Sequence, residues 1–310
     1  MAYGIGHQAS CSPRDTRALL EKRIVVTGSS MGIGRAVALR LAREGARIVI
    51  NGRHREPLGQ ALAEIAAAGG EVVASAGSVA DYEYAGELVG TCIDRYGGID
   101  VLINCAGIAE PYGTSILDID PVDWRSLVDV HLHGTFNTCR QAASIMAGQG
   151  RGAIVNTSSH AFLGMYGGTG YAAGKGATNS LSQAMAIDLE PHGIDVNVVC
   201  PGARTRLSTG DDYVKLIESL HRRGALSDER RDSALNPASP DQVASLYAYL
   251  ASELAAGITG QLFWGSGGYV GRFGAPGQQV LAAPDTQSAA PVGVAELAAA
   301  LAAAERACAG

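Results

Sequence analysis

Residues 23–34 read RIVVTGSSMGIG, an apolar run that leads directly into a glycine-rich turn. A helical pattern follows over 33–43, and a second short apolar strand is predicted at 46–51. A strand, a glycine turn, a helix and a strand in this order make one βαβ unit. The stretch therefore predicts an α/β fold whose first crossover lies near the start of the domain.

The turn between the first strand and the first helix has the glycine spacing of a phosphate-binding loop. Gly28 permits a tight turn, Gly32 lets the backbone approach a pyrophosphate, and Gly34 allows close packing of the helix on the sheet. The helix that begins near Ile33 directs its free N–H groups and the positive end of its dipole toward the phosphates. We therefore expect a dinucleotide here, held by Gly28, Ser30, Met31, Gly32, Ile33 and Gly34.

The alternation of strands and helices continues to about residue 264. Further strands are predicted at 71–76, 99–103, 153–157, 194–199 and 258–264. The helices that separate them are predicted near 55–67, 81–96, 121–147, 171–190 and 240–252. Repeated crossovers of this length require parallel strands that are covered on both faces. The prediction is a Rossmann-type, doubly wound parallel sheet of seven strands in a single three-layer αβα domain.

Residues outside this alternation divide the chain of 310 residues into three parts. We expect an N-terminal extension at 1–20, the catalytic domain at 21–272, and an Ala- and Pro-rich C-terminal tail at 273–310. Within the domain, the polar segment 203–238 follows a strand end, where ligands bind in doubly wound sheets. It is interpreted as a substrate lid, and the alternative is a simple surface insertion.

Composition and charge narrow the classes of partner. The formal net charge is −6, which disfavours nucleic acid and anionic membrane surfaces. No apolar run is long enough to span a bilayer, and residues 1–17 lack the apolar core of a signal peptide. The six cysteines form neither CxxC pairs nor a cluster with metal-ligand spacing. We expect a cytoplasmic protein with reduced cysteines and no bound metal.

Short motifs further along the chain agree with the first turn. They are TGxxxGxG at 27–34, NCAG at 104–107, Ser158-Ser159, YxxxK at 171–175 and PG at 201–202. In this order and spacing, residues 22–270 resemble the short-chain dehydrogenase/reductase family. The resemblance implies an oxidoreductase that uses a nicotinamide dinucleotide.

Tyr171 and Lys175 carry the predicted chemistry. They lie four residues apart on a predicted helix, so both side chains reach the same face. A phenol titrates near ~10, and a nearby ammonium favours the phenolate, which brings the pKa closer to neutral pH. The resemblance implies that Tyr171 donates a proton to a carbonyl oxygen in reduction and takes it back in oxidation. It also implies that Lys175 holds the nicotinamide ribose.

The resemblance further implies a serine that orients the same substrate oxygen. Counting forward along the fifth strand points to Ser159, whereas counting back from Tyr171 points to Ser158. Strand ends align more reliably than loops, so Ser159 is preferred.

His131 departs from the family's pattern, which usually has Asn at this place. In the family, the backbone carbonyl of that residue helps to hold a water linked to the catalytic lysine. The imidazole is either a proton relay or a side chain packed in the helix, and His131 joins Ser159, Tyr171 and Lys175 as a candidate catalytic residue. Some relatives with His here resemble the hydroxyacyl-CoA dehydrogenase module of multifunctional β-oxidation enzymes.

Residues after the second strand favour NADP(H) over NAD(H). Gly52 stands where an acidic residue would bind the ribose hydroxyls of NAD(H), and Arg53 can pair with a 2′-phosphate. The alternative is an Arg53 that points to solvent. The remaining predicted cofactor contacts are Ser78, Val79, Asn104, Ala106, Gly107, Tyr171, Lys175, Pro201, Gly202 and Thr205.

The predicted function is that of a ketoreductase or alcohol dehydrogenase, which moves a hydride between NADP(H) and a small-molecule carbonyl or alcohol. Two alternatives remain on the same scaffold: reduction of an imine or conjugated alkene, and a non-redox cyclase or dinucleotide-binding protein. The resemblance also implies a homodimer or homotetramer that pairs the helices predicted at 121–147 and 171–190. Apolar candidates for that surface are Leu127, Phe136, Leu181 and Met185.

Overall fold

A computed structural model describes residues 19–274 and, within the C-terminal tail, residue 299. The chain divides into a unit that ends at Phe273 and a second unit that begins at Gly274. Most of the predicted N-terminal extension and C-terminal tail therefore lies outside the described residues. The predicted boundaries need two corrections: Leu19 is fully buried in the core, and Phe273 contacts aromatic rings of the domain. Both side chains are apolar, so contact with the domain removes them from water.

One eight-stranded sheet forms the centre of the domain. Its strands are β1 (Arg23–Thr27), β2 (Arg47–Gly52), β3 (Glu71–Ala76), β4 (Val101–Asn104), β5 (Gly152–Thr157), β6 (Ile194–Gly202), β7 (Leu262–Ser266) and β8 (Tyr269–Arg272). Their spatial order is β3-β2-β1-β4-β5-β6-β7-β8. All six pairs of neighbouring strands among β1 to β7 are parallel, which confirms the predicted doubly wound sheet of seven strands.

The sequence analysis does not predict the eighth strand. β8 turns back on β7 as an antiparallel hairpin. The turn consists of Gly267 and Gly268, and Gly267 has a φ of 58°, which favours glycine. The strand is only four residues long, so its sequence pattern is too short to recognise.

Nine α-helices within residues 19–274 pack around the sheet. They are α1 (Gly32–Arg43), α2 (Arg55–Ala67), α3 (Tyr82–Tyr96), α4 (Pro121–Val128), α5 (Gly134–Gln149), α6 (Thr169–Leu189), α7 (Asp211–Arg222), α8 (Asp228–Leu235) and α9 (Pro240–Leu250). None of the helices in this part of the chain has the length and apolar character needed to cross a membrane.

Alternate residues of the central strands pack on opposite faces of the sheet. In β1, Ile24 and Val26 belong to one buried cluster, together with residues of α1 and α9. Val25 belongs to a second cluster, with residues of α3 and α5. Both faces of the strand are therefore buried, which explains its continuous apolar run and confirms the three-layer arrangement.

A π-helical turn, Asp129–His133, interrupts the helix predicted at 121–147 and joins α4 to α5. The carbonyl oxygen of His131 in this turn accepts hydrogen bonds from the hydroxyls of Thr135 at 2.8 Å and Thr178 at 3.2 Å. Side-chain donors of this kind compete with the regular helical pattern and accompany such turns.

Nearby, Leu127 is only 1% exposed, so it belongs to the interior and not to the predicted subunit interface.

The polar segment 203–238 contains α7 and α8, which share a small apolar cluster around Ile217 and Leu220. Arg231 of α8 pairs with Glu218 of α7. Tyr213 of α7 makes an edge-on ring contact with Tyr112, with 6.3 Å between the ring centroids. The segment is thus a folded pair of helices that touches the loop after β4.

Candidate active site

A cavity of about 1420 Å³ opens at the carboxyl ends of the parallel strands. Every predicted site residue except Asn104 lines this cavity. The side chain of Asn104 is buried and bonds instead to Thr27, Thr138 and Asn156. The amide of Asn104 links the ends of β1, β4 and β5 in the interior, and its predicted contact with the cofactor stays a prediction.

The turn after β1 leaves room for a ligand on one side only. A Cβ on Gly28 would lie 2.6 Å from the Cα of Ala106, so this glycine is required by the fold. A Cβ on Gly32 would meet nothing nearer than the methyl group of Thr205 at 3.7 Å. Met31 caps α1 without a side-chain hydrogen bond, so backbone N–H groups face the cavity at this helix end. This arrangement fits the pyrophosphate of a dinucleotide.

Asn51, which the sequence analysis does not single out, fixes this turn from the end of β2. Its Oδ1 accepts a hydrogen bond from the N–H of Gly28 at 3.2 Å, and its Nδ2 donates to the Tyr84 hydroxyl at 3.0 Å. Gly52 is needed next to it because a Cβ there would lie 2.9 Å from the side chain of Ser30. Arg53 is exposed at the edge of the cavity and forms no ion pair with any residue in the described part of the chain.

Ser159 and Tyr171 line the same cavity, and the side chain of Ser159 lowers the pKa of the Tyr171 hydroxyl, against the larger effect of burial. Ser159 also caps the short 3-10 helix His160–Leu163, where its Oγ accepts from the N–H of Ala161 at 3.2 Å. Ser158 points elsewhere: it is buried, and its hydroxyl donates to the carbonyl of Lys175 at 3.1 Å. The geometry therefore favours Ser159 as the serine beside Tyr171.

Lys175 is buried one helical turn after Tyr171 on α6. Its Nζ donates to the carbonyl of Thr157 at 2.8 Å and lies 5.7 Å from the centroid of the Tyr171 ring. Burial lowers the pKa of Lys175 to about 8, since desolvation penalises the ammonium form. The helix thus holds both side chains of the YxxxK motif on one face of the cavity.

The pKa of Tyr171 differs from the prediction. Burial raises it to about 12, and the side chain of Ser159 only partly opposes that shift. The expected lowering by Lys175 is not observed: desolvation of the phenolate is the largest effect, and Lys175 is not among the groups that shift this pKa. Tyr171 is protonated at neutral pH, which is the form that donates a proton.

His131 is 1% exposed and lies edge-on to Tyr171, with 5.0 Å between the ring centroids. Its Nε2 lies 2.9 Å from the carbonyl oxygen of Ile108 and 3.4 Å from the N–H of the same residue, and the shorter contact favours a proton on Nε2. Its Nδ1 has no hydrogen-bond partner among the described residues. Burial and, second, the charge of Lys175 lower its pKa to about 3, so the imidazole is neutral. The carbonyl oxygen of His131 accepts from the hydroxyls of Thr135 and Thr178, and its expected role in holding a water near Lys175 stays a prediction.

Glu110 is a buried carboxylate that the sequence analysis misses. It lies in the loop after β4 and accepts hydrogen bonds from the N–H groups of Gly170 at 3.2 Å and Tyr171 at 2.7 Å. No sequence spacing indicates this contact, because the partners are 60 and 61 residues apart.

The other side of the cavity carries large apolar and aromatic side chains, and the charged side chains of Arg206, Arg223, Glu229 and Arg230 also line the cavity. Its large lining side chains come from the loop after β4, from α7 and from the β7–β8 hairpin: Tyr112, Tyr213, Leu216, Ile217, Trp264 and Phe273. His160 contacts both Trp264 and Phe273 in this wall. The contribution of α7 supports the lid interpretation of segment 203–238. Within the described residues, no group of three His, Cys, Asp or Glu side chains is placed to hold a metal ion.

The fold and the site together define a dinucleotide-binding α/β oxidoreductase. The model of the short chain dehydrogenase family matches residues 22–209. The chain belongs to this family, as its motifs predict, and it is an oxidoreductase that acts on hydroxyl and carbonyl groups. Members of the family bind nicotinamide cofactors, and the glycine turn described above fits such a group.

Known relatives extend over most of the chain. A 3beta-hydroxysteroid dehydrogenase of Mediterraneibacter gnavus is 32% identical over 263 residues, which cover 80% of this chain and 95% of that protein. A hydroxyacyl-CoA dehydrogenase of Mycobacterium tuberculosis is 34% identical over 275 residues, with coverage of 83% and 81%. A solved structure of an actinorhodin polyketide ketoreductase variant with NADPH has a TM-score of 0.70 and 30% identity, and covers 80% of this chain and 97% of that one.

Proposed function

We propose that the protein is an NADP(H)-dependent ketoreductase or alcohol dehydrogenase, with Tyr171 as its general acid and base. The observation that carries this proposal is the placement of Ser159, Tyr171 and Lys175 on one cavity, with Nζ of Lys175 5.7 Å from the centroid of the Tyr171 ring. These side chains line the same cavity as the glycine turn. A nicotinamide bound there supplies or accepts the hydride.

The two hydroxyl groups handle the oxygen of the substrate. Ser159 donates a hydrogen bond that orients the carbonyl, and Tyr171 transfers its proton to the carbonyl oxygen as the hydride reaches the carbon. The product is an alcohol, and the reverse reaction returns the proton to Tyr171. A pKa of about 12 keeps Tyr171 protonated at neutral pH, which is the form that carbonyl reduction requires.

Lys175 supports the proton transfer through its charge. Near neutral pH the group is mainly an ammonium, because its lowered pKa of about 8 still lies above 7. The ammonium stabilises negative charge that develops on Tyr171 when its proton leaves. One N–H of Lys175 is held by Thr157, so the others remain to bind the ribose of the nicotinamide.

The preference for NADP(H) rests on the end of β2. Gly52 places no carboxylate beside the adenosine ribose, and Arg53 stands exposed at the cavity edge. A guanidinium there can form a forked pair with a 2′-phosphate. The NADPH-bound ketoreductase among the structural relatives supports the same choice.

The apolar wall supports a substrate whose carbonyl belongs to a largely apolar molecule.

Cys92, Cys105, Cys139 and Cys200 are free thiols, which supports the proposed cytoplasmic location because disulfides are rare there.

Turnover with a panel of substrates tests the proposed function. Purified protein is mixed with NADPH and ketones or β-ketoacyl thioesters, or with NADP⁺ and alcohols, and the nicotinamide absorbance is followed. We expect oxidation of NADPH with at least one carbonyl, and slower turnover with NADH. Activity only with imines or conjugated alkenes would redirect the proposal to those bonds, and dinucleotide binding without any turnover would contradict it.

A further inference from the structure

The carboxylate of Glu110 caps the N-terminal end of α6 from a distant part of the chain. Its Oε2 accepts from the N–H of Tyr171 at 2.7 Å, and its Oε1 accepts from the N–H of Gly170 at 3.2 Å. The hydroxyl of Thr114, in the same loop as Glu110, lies 3.3 Å from Oε1, but its shorter contact is with the carbonyl oxygen of Pro111 at 2.8 Å. The group is 9% exposed, so solvent competes little for these bonds.

The sequence of α6 supplies no cap of its own. Gly168 occupies the N-cap position with a φ of 73° and has no side chain to accept hydrogen bonds. A Cβ on Gly168 would lie 3.1 Å from Oε2 of Glu110, which is tighter than an ordinary contact. The glycine therefore leaves the space that the carboxylate fills. A negative group is favourable there, because the first N–H groups of a helix lack helical partners and carry the positive end of its dipole.

We propose that Glu110 is a positioning residue, which fixes the backbone of Tyr171 and thereby the location of its hydroxyl. The inference rests on the proposed function of Tyr171. The same carboxylate ties the loop after β4, whose Tyr112 lines the cavity, to the helix that carries Lys175. Displacement of a reacting group by about 1 Å can lower a rate on the order of 100-fold, so a fixed backbone at this point matters for turnover.

Two substitutions of Glu110 and one control test the proposal. Glu110→Ala removes both acceptors, whereas Glu110→Gln keeps the shape but turns an NH₂ group toward one of the two N–H donors. Asp81→Ala is the matched control, because Asp81 caps α3 by accepting from the N–H groups of Glu83 and Tyr84 and does not line the cavity. For each variant, kcat and the KM for the carbonyl are measured per dinucleotide-binding site, so that unfolded molecules are not counted.

We expect Glu110→Ala to lower kcat per binding site by about tenfold or more, with a smaller loss for Glu110→Gln. The Kd for NADPH should stay within about twofold, because the glycine turn is untouched. Asp81→Ala should lower the melting temperature as Glu110→Ala does, yet leave kcat unchanged. A kcat for Glu110→Ala equal to that of the wild type would overturn the proposal, and so would an increase in KM alone, which would mean that Glu110 only shapes the substrate pocket.

Amide hydrogen exchange separates this proposal from the proposed function. If the wild-type protein turns over no carbonyl, the proposed function fails, and exchange at Gly170 and Tyr171 decides the role of Glu110. Faster exchange at these two amides in Glu110→Ala, but not in Asp81→Ala, would show that the carboxylate fixes the backbone of Tyr171. Unchanged protection there would overturn the proposal independently of any activity.

Discussion

A single hydroxyl group distinguishes Tyr171 from phenylalanine, and this hydroxyl is the proposed proton donor. Tyr171→Phe should lower kcat by about 10²-fold or more, which is the usual contribution of general acid catalysis. The Kd for NADPH should change only a few fold, because the hydroxyl contributes little to dinucleotide binding. Steady-state turnover and a fluorescence titration with NADPH measure the two effects. Turnover close to that of the wild type would remove Tyr171 as the acid and base.

Arg53 should determine the choice between the two nicotinamide cofactors. If its guanidinium binds the 2′-phosphate, Arg53→Ala should weaken NADPH binding roughly tenfold to hundredfold and leave NADH binding nearly unchanged. Arg55→Ala is a suitable control, because Arg55 is also exposed but does not line the cavity. Titrations with both cofactors provide the comparison. Equal losses for NADPH and NADH, or tighter NADH binding in the wild type, would contradict the assignment.

His131 should make the protein less stable in acid. Burial holds the pKa of the folded imidazole at about 3, whereas a histidine in the unfolded chain titrates near ~6.5. Between these values the unfolded state binds more protons, so the free energy of unfolding falls as the pH falls, by up to roughly 1.4 kcal/mol per pH unit. In His131→Asn, the free energy of unfolding should fall less steeply between these two pKa values. Urea titrations at several pH values measure this dependence.

The same substitution tests whether His131 relays protons. A neutral imidazole does not titrate in the working range, so His131→Asn should keep most of the activity and an unchanged acidic limb in the pH–rate profile. If a folded variant that binds NADPH loses activity, or its acidic limb disappears, His131 takes part in proton transfer.

At the scale of elements, two glycines of the turn between β1 and α1 have different roles: the fold requires Gly28, whereas Gly32 is proposed to leave space for the ligand. Gly28→Ala should destabilise the protein by about 2 kcal/mol or more, because its Cβ would lie 2.6 Å from backbone atoms that are themselves fixed. Gly32→Ala meets no such obstacle, although its φ of 57° adds about 1 kcal/mol of strain. Its larger effect should be on NADPH affinity, since the new methyl group would project into the space where the pyrophosphate is proposed to bind. Thermal unfolding measures the stability of both variants, and titration with NADPH measures their affinity. The same ratio of affinity loss to stability loss in the two variants would contradict the prediction.

The sequence predicts the seven parallel strands and the helices between them, because the period of apolar residues follows from burial, but it does not predict α7, α8 or β8. β1 and α1 begin and end within a residue of the expected positions. The sequence does not predict where a helix is interrupted by an irregular turn. The π turn at Asp129–His133 depends on hydroxyls from Thr135 and from Thr178 of another helix, and that spatial contact has no local signature.

The candidate site shows the same division between local pattern and spatial contact. Tyr171 and Lys175 were predictable because their spacing on one helix fixes their common face. Glu110 was not, because its partners come from a helix far along the chain. The pKa of Tyr171 was mispredicted for a related reason: its burial depends on tertiary packing, which the sequence does not specify locally.

At the scale of the whole molecule, we predict a homodimer or homotetramer in which α5 and α6 pair across a two-fold axis. Phe136 on α5 is 45% exposed and Ile187 on α6 is 75% exposed, so both helices present apolar surface. Sedimentation velocity at micromolar concentration should give at least the mass of a dimer. Phe136→Asp should shift the distribution toward monomer, whereas a monomeric wild type would refute the prediction.

The hairpin that adds β8 has a consequence for aggregation. A sheet edge offers unpaired N–H and C=O groups to which a strand from another molecule can add, and long flat edges are the most prone to this. Among the described strands, β8 forms one edge of the sheet, and it offers only four residues that end in the charged Arg272. The longer and more apolar β7 is covered by this short strand. The hairpin therefore protects this edge of the sheet against the addition of strands from other molecules, a hazard that is greatest at high protein concentration.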